Sequence, residues 1–274
     1  MPECRLPNGA RVHWREAGDP AKPPVVWIHG GSVEDSSFMV PDLEPFFGRV
    51  HALYPDTRGH GLSSKFERPE DYTYARKGED VLLWLDALGV ERGVWGGASM
   101  GAALSLWAAI HAPERVRAVI SISGPPYTPL PDDVAWWRAH RPLVEAGRFA
   151  DYFDANVRLR SGDDALARFK ARPERYAETV ERLRSHSVAS LLALLDETYA
   201  RGDWLDACAG IRCPVLVIAG SEDQFPTVAM SRRVAETIPG ARLAVIEGGG
   251  HFPNRTHRAE VQARIARFLG DLGV

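Results

Sequence analysis

Gly93-Val94-Trp95-Gly96-Gly97-Ala98-Ser99-Met100-Gly101-Ala102-Ala103-Leu104 is the stretch on which the fold turns. An apolar run at 93–95 leads into Gly97-Ala98-Ser99-Met100-Gly101, and an Ala-rich segment carries on to His111 with Pro113 close behind. Strand, sharp turn, helix is the reading. Small residues on both sides of the serine relieve a backbone that must reverse at once. Proline cannot continue a helix, so Pro113 marks where this one ends. In a chain with 25 glycines the G-x-S-x-G spacing arises by chance, and it gains weight only from the strand before it and the helix after it. Met100 opens the helix, where unpaired N–H groups and the positive dipole end favour developing negative charge, so its N–H is a candidate oxyanion donor. The competing reading is a plain packing turn, or a degenerate dinucleotide fingerprint on Gly96, Ala98 and Gly101.

Working outward, further short apolar runs stand at 25–29, 50–54, 118–122, 215–219 and 243–246. Runs without polar alternation suit strands buried on both faces, hence a parallel sheet covered by helices. Helices are predicted over 74–88, on an apolar stripe of Ala75, Val81, Leu82, Leu85 and Leu88, and over 100–111. Two more are predicted over 228–238, ended by Pro239-Gly240, and over 258–269, ended by Gly270. Residues 5–15 read as an opening hairpin turning at Asn8-Gly9. The alternation breaks between 125 and 204, where helical periodicity and balanced charge run without a convincing buried strand. The expected architecture is a doubly wound, mostly parallel α/β sheet built from 1–124 and 205–274, with 125–204 as an inserted helical cap.

A chain of 274 residues with 45% hydrophobic content buries one large core. Its 33 basic and 36 acidic residues give a net charge of −3 and no basic face, which argues against nucleic acid and against a polybasic membrane anchor. Polar residues interrupt 1–14, so no signal peptide is expected and the expected location is cytoplasmic. No apolar run approaches the roughly 20 residues that span a bilayer. Cys4, Cys208 and Cys213 are odd in number and lack metal-ligand spacing, so free thiols and no metal site are expected.

Taken together, the His29-Gly30-Gly31 loop after a strand, the segment Asp56-Thr57-Arg58-Gly59-His60-Gly61-Leu62-Ser63 and the serine turn resemble the α/β-hydrolase superfamily. Ala219-Gly220-Ser221-Glu222-Asp223 resembles the family's acid loop after the penultimate strand, and Gly249-Gly250-His251-Phe252 its histidine loop after the last. The order serine, acid, histidine also matches. The likeness covers nearly the whole chain and is greatest to small-substrate members such as enol-lactonases, cofactor-free haloperoxidases and simple esterases. It implies the α/β-hydrolase fold, Gly31 as second oxyanion donor with Ser32 as substitute, and no cofactor. Two departures stand out. Ala102 replaces a frequent glycine, and Ser32-Val33-Glu34 replaces the Pro-Gly pair of proline iminopeptidases.

A serine hydroxyl needs a neighbouring base, and an imidazole titrating near about 6.5 can take and return its proton. Among nine histidines His251 is the candidate, because its glycine-rich loop joins strand to helix at the edge where α/β sheets place their sites. His29 and His60 fall in loops whose counterparts in the family are structural, and Arg58 and His60 read as residues that hold their own turn by hydrogen bonds. Asp223 is the candidate orienter of the imidazole, with Glu222 and Glu247 as alternatives. Phe38, Tyr127, Phe225 and Phe252, near these loops, and Trp136 and Trp137 in the insert are candidate pocket residues; Phe149, Tyr152 and Phe153 pack the insert or line the pocket. The expected reaction is hydrolysis of a small-molecule ester or lactone by Ser99, His251 and Asp223, with Gly31 and Met100 holding the oxyanion. The alternatives are a carbon–carbon bond hydrolase using the same three residues and a non-catalytic ligand-binding protein. Because the resemblance associates aspartate at the serine position with dehalogenases and epoxide hydrolases, Ser99 argues against both.

Overall fold

The computed structural model describes residues 2–31, 34–124 and 126–274, the side chains of residues 160 and 161 excepted. Among these residues eight strands form one sheet: β1 (Glu3–Arg5), β2 (Arg11–Gly18), β3 (Pro24–Ile28), β4 (His51–Pro55), β5 (Gly93–Ala98), β6 (Val116–Ile122), β7 (Val215–Gly220) and β8 (Arg242–Ile246). Their order is β1-β2-β4-β3-β5-β6-β7-β8. The first two pairings are antiparallel and all others parallel. This is the mostly parallel α/β sheet that the runs of apolar residues predict.

Among the described residues ten α-helices accompany the strands: α1 (Val40–Leu43), α2 (Tyr74–Ala87), α3 (Met100–His111), α4 (Pro131–Glu145), α5 (Phe149–Lys170), α6 (Pro173–Arg184), α7 (Val188–Ala200), α8 (Val228–Thr237), α9 (Pro253–Thr256) and α10 (Arg258–Asp271). Successive side chains of a strand point to opposite faces, and β3 shows it: Val26 and Ile28 join one apolar core with α2, α3 and α8, while Val25 and Trp27 join the other with α1 and α10. β5 and β7 are buried at every residue, as strands covered on both faces must be.

Three local differences from the sequence expectations have plain causes. β5 runs to Ala98 because Gly96, Gly97 and Ala98 pair with β6, yet glycine and alanine carry too little apolar surface to read as a strand. β2 outlasts the hairpin, since Trp14 to Gly18 pair antiparallel with β4. On α2 the buried stripe is Lys77, Gly78, Asp80, Val81, Trp84 and Leu85, whereas Ala75 is exposed. Lys77 and Asp80 sit in it because each has buried polar partners. At the hairpin turn Gly9 takes φ +85°, while Asn8 contributes its side chain, accepting from the Ala10 N–H at 3.1 Å and donating to Asp80 Oδ1 at 2.8 Å.

Between β6 and β7 the described residues form α4 to α7 and no strand. α5 consists of two helical runs broken at Gly162, whose φ of +78° only glycine adopts freely. These helices share a core of their own, in which Trp137 stacks on Tyr199 at 5.6 Å. Tyr72, from outside the four helices, joins that core and meets Ser190 Oγ of α7 at 2.9 Å, and Arg182 of α6 pairs with Asp35 at 2.7 Å. Among the described residues no helix is long and apolar enough to cross a membrane. The three cysteines are free, and burial pushes the Cys208 thiol up to about 12, which leaves it protonated and unreactive near neutrality.

Candidate active site

Four loops at the C-terminal ends of β3, β5, β7 and β8 meet over the sheet, the edge at which α/β sheets place ligands. The turn after β5 is the tightest. Serine at a helix N-terminus ordinarily caps the first turn with its own hydroxyl. Ser99 does not: at φ +51° and ψ −114° its side chain makes no cap bond, while its N–H donates to the Ile122 carbonyl at 2.8 Å. The strained backbone frees the hydroxyl to point elsewhere. Only glycine fits on either side, because a Cβ on Gly97 or Gly101 would stand 2.0 or 2.2 Å from the Ile28 carbonyl oxygen of β3.

Ser99 Oγ lies 3.0 Å from His251 Nε2. His251 Nδ1 lies 3.2 and 3.1 Å from Asp223 Oδ1 and Oδ2. A carboxylate only accepts, so Nδ1 carries the proton and Nε2 is left as the acceptor that faces the serine hydroxyl. Asp223 is fixed in turn by the Phe225 N–H, which donates to Oδ1 at 3.1 Å. The two loops are clamped together: Glu222 N–H donates to the Gly249 carbonyl at 2.8 Å, Gly248 N–H donates to the Ser221 side-chain Oγ at 2.9 Å, and a Cβ on Gly220 would stand 2.2 Å from the Gly249 oxygen. Glu222 and Glu247 are exposed and do not reach the imidazole.

Gly31 and Met100 line the same cavity beside Ser99, and a Cβ on Gly31 would stand 3.7 Å from Met100 Cβ. Their backbones are therefore neighbours around the serine. Ser32 lies outside the described residues. The loop after β3 is held by Glu34, a buried residue that the sequence reading passed over: its carboxylate accepts from the Gly30 N–H at 2.9 Å and pairs with Arg255 at 2.5 Å.

The Asp56 to Ser63 segment holds its own turn. Arg58 makes a bidentate pair with Asp80 at 2.8 and 2.6 Å and donates to the Asp71 carbonyl at 2.8 Å. His29 Nδ1 donates to the Gly30 carbonyl at 2.6 Å, and its Nε2 accepts from the Thr57 N–H at 3.0 Å, so this ring is spent on the framework. His60 Nδ1 meets the Arg58 carbonyl at 3.1 Å, and burial pushes the imidazole well below its ordinary range.

The cavity measures about 240 Å³ and is enclosed by the sheet-edge loops below and α5 to α7 above. Phe38, Phe225 and Phe252 line it, as does Phe153 from α5. Phe38 sits among the guanidinium groups of Arg175, Arg182 and Arg255 at 5.7, 4.9 and 5.2 Å. Three candidates drawn from the sequence do not line it. Tyr127 is tied by its hydroxyl to the Met230 carbonyl of α8 at 2.8 Å. Trp136 stacks on His140 at 4.4 Å, and Trp137 stacks on Tyr199 and donates to Asp196 at 2.9 Å, so both indoles serve the core of the inserted helices. Polar lining that the sequence reading missed comes from Lys77, Glu197, Arg201 and Arg255. For Lys77 the signal was present: Tyr74, Lys77, Gly78 and Val81 share one helix face, and a lysine in such a stripe is a buried charge. Among the described residues no three His, Cys, Asp or Glu side chains cluster as metal ligands would.

A family model of the alpha/beta hydrolase fold matches residues 23–257. The chain is 30% identical to Epoxide hydrolase A of Mycobacterium tuberculosis, over 97% of this chain and 96% of that protein. It is 32% identical to 2-hydroxymuconate semialdehyde hydrolase of Pseudomonas putida, over 80% of this chain and 76% of that protein. Among solved structures, the enol-lactonase from Burkholderia xenovorans LB400 superposes with a TM-score of 0.82 at 24% identity, over 98% of this chain and 100% of that one. Sheet order, serine turn and family match agree, and the chain belongs to the alpha/beta hydrolase fold family.

Proposed function

We propose that this protein is a serine hydrolase that cleaves a carboxylic ester or lactone of a small molecule. The observation that carries the reading is the unbroken relay from Asp223 through His251 to Ser99 Oγ, opening into a cavity. Ser99 Oγ attacks the acyl carbon as its proton passes to His251 Nε2, and the carbonyl electrons move onto oxygen. The Gly31 and Met100 N–H groups hold that oxyanion, aided by the N-terminal dipole of the twelve-residue α3. Collapse expels the alkoxide, which takes the proton from His251; water then repeats the sequence on the acyl-enzyme and releases the acid. Residues 125–204 act as a cap that shapes the substrate space, and Phe38, Phe225 and Phe252 contact the substrate.

Chemistry separates this reading from the epoxide-hydrolase relative. A serine alkoxide opening an epoxide forms an ether, which has no carbonyl for water to attack, so the enzyme would stall after one turnover. A carbonyl substrate returns Ser99 free. The relationship to 2-hydroxymuconate semialdehyde hydrolase favours a second reading, in which the same residues cleave a carbon–carbon bond next to a carbonyl. Parallel panels of p-nitrophenyl esters, aliphatic lactones and 1,3- or 1,5-diketones separate the two. Turnover of esters or lactones, with a burst of p-nitrophenol from the esters, supports the proposal. Turnover confined to diketones refutes it in favour of the second reading.

A further inference from the structure

The cavity wall also carries two cations and one carboxylate that the acyl chemistry does not use: Lys77 of α2, Glu197 of α7, and Arg201 immediately after α7. Lys77 is 2% exposed. Its ammonium donates to the Tyr72 carbonyl, lies 5.9 and 5.6 Å from the ring centres of Tyr72 and Tyr74, and stands 3.8 Å from Glu197 Oε2. Arg201 spends one nitrogen on the Thr198 carbonyl at 2.7 Å, and its Nε is buried without a partner. Asp196 pairs with Arg141 at 3.2 Å, and Glu197, 3.8 Å from Lys77, also feels the charge of Arg201, so one carboxylate serves two cations.

Charge on the rest of the wall closes. Glu34 is matched by Arg255, and His60 is held neutral by burial. What remains is one net positive charge on the cavity wall, with the lysine that carries part of it buried, an arrangement that a bound anion would complete. Packing alone gives no reason for a lysine on the buried stripe of α2, where methionine or leucine would fill the same volume. Burial also draws the Lys77 ammonium down to about 8, so its charge is under-compensated by Glu197 alone.

We propose that Lys77 and Arg201 form an anion subsite, and that the substrate is an ester or lactone bearing a carboxylate that binds there while its acyl carbonyl lies at Ser99. This rests on the hydrolase reading above and narrows its substrate class. The carboxylate is a binding handle that keeps its charge through the reaction.

The test compares p-nitrophenyl hydrogen glutarate with p-nitrophenyl pentanoate, which match in acyl length and differ in the terminal charge. The wild-type protein is expected to favour the glutarate ester by about tenfold or more in kcat/KM. Lys77→Met and Arg201→Gln should each remove most of that preference, leaving the two esters within about threefold of each other, mainly through KM, as loss of one partner from an ion pair does. Lys77→Arg, which keeps the cation, should retain the preference and covers the case in which the methionine variant does not fold. A wild-type protein that hydrolyses both esters without preferring the anion overturns the subsite and leaves the hydrolase reading intact. Calorimetric titration of Ser99→Ala with glutarate needs no turnover and tests the subsite separately. Binding that is lost on adding Lys77→Met supports it, and absence of binding up to about 10 mM overturns it.

Discussion

Asp223→Asn tests the relay at the point where the structure makes a directional prediction. In the wild-type protein both carboxylate oxygens sit 3.1 to 3.2 Å from His251 Nδ1, and Oδ1 also accepts from the Phe225 N–H at 3.1 Å. An amide must choose. The Phe225 N–H requires an acceptor, so the asparagine oxygen takes the Oδ1 position and its NH₂ takes the Oδ2 position, facing Nδ1. A donor there favours the tautomer with Nδ1 bare and Nε2 protonated, and a protonated Nε2 cannot accept the Ser99 proton. Loss of the base together with loss of the charge that stabilises the imidazolium is worth about 10³- to 10⁴-fold in kcat, or about 4 to 5.5 kcal/mol. The Asp223 contacts are longer than the about 2.7–2.9 Å of the strongest charge-assisted bonds, which puts the expected loss near the lower figure. Pre-steady-state hydrolysis of p-nitrophenyl acetate reads the acylation step directly, with circular dichroism confirming that the variant is folded. Acylation within about tenfold of wild type in a folded variant would refute the argument, because the tautomer would then not control the serine.

Four further outcomes follow from particular contacts. Asp80→Ala leaves the buried Arg58 guanidinium with the Asp71 carbonyl and no carboxylate, and is expected to cost about 3–5 kcal/mol in denaturant unfolding. Gly101→Ala sets a Cβ against the Ile28 carbonyl, so a loss of about 1–3 kcal/mol should accompany slower acylation of Ser99; wild-type stability would contradict that close approach. Trp137→Ala should destabilise by about 3–5 kcal/mol while leaving the order of preferred esters as it is, whereas Phe252→Ala should change KM across an ester series; the reverse pattern would mean that the indole, and not Phe252, faces substrate. Burial lowers His186 to about 3, so between that value and about 6.5 the unfolded chain binds a proton that the folded chain does not, and folding stability is lost as pH falls through this window. Asp42, which burial raises to about 6, acts with the opposite sign but is common to both proteins. The difference between wild type and His186→Asn in unfolding free energy should therefore change by about 1.4 kcal/mol per pH unit from pH 4 to 6, and a flat difference would contradict the neutral buried imidazole.

The sheet was legible because strands buried on both faces must be written as continuous apolar runs, as at Val25 to Ile28 and Val215 to Ala219. Where glycine supplies the strand, as at Gly96 and Gly97, the same rule falls silent, since close approach to β3 and β6 replaces side-chain burial. Ser99, Asp223 and His251 were legible as three loops in a fixed order; their meeting is a property of the parallel sheet, which brings the ends of β5, β7 and β8 to one edge. The pocket was much less so. Phe38 and Phe252 lie near those loops in sequence and do line the cavity, but Tyr127 lies equally near and turns to α8. Aromatic spacing within a helix says that a ring is buried and not against what, which is why Trp136 and Trp137 belong to the core of the inserted helices. The charged lining depends on how α2 and α7 pack together, and in the sequence Lys77 and Glu197 stand far apart; only the lysine's place in an apolar stripe marked it.

Central to the account is the claim that Ser99 is the nucleophile, activated by His251. A fluorophosphonate reacts with an activated serine hydroxyl and leaves a stable adduct, so its site and pH dependence report both halves of the claim. Peptide mapping of the labelled protein should place the adduct on Ser99 alone, and the labelling rate should rise as the imidazole loses its proton. Ser99→Ala should abolish the adduct and His251→Ala should nearly do so. Labelling of another residue, or equal labelling of Ser99→Ala, would contradict the account.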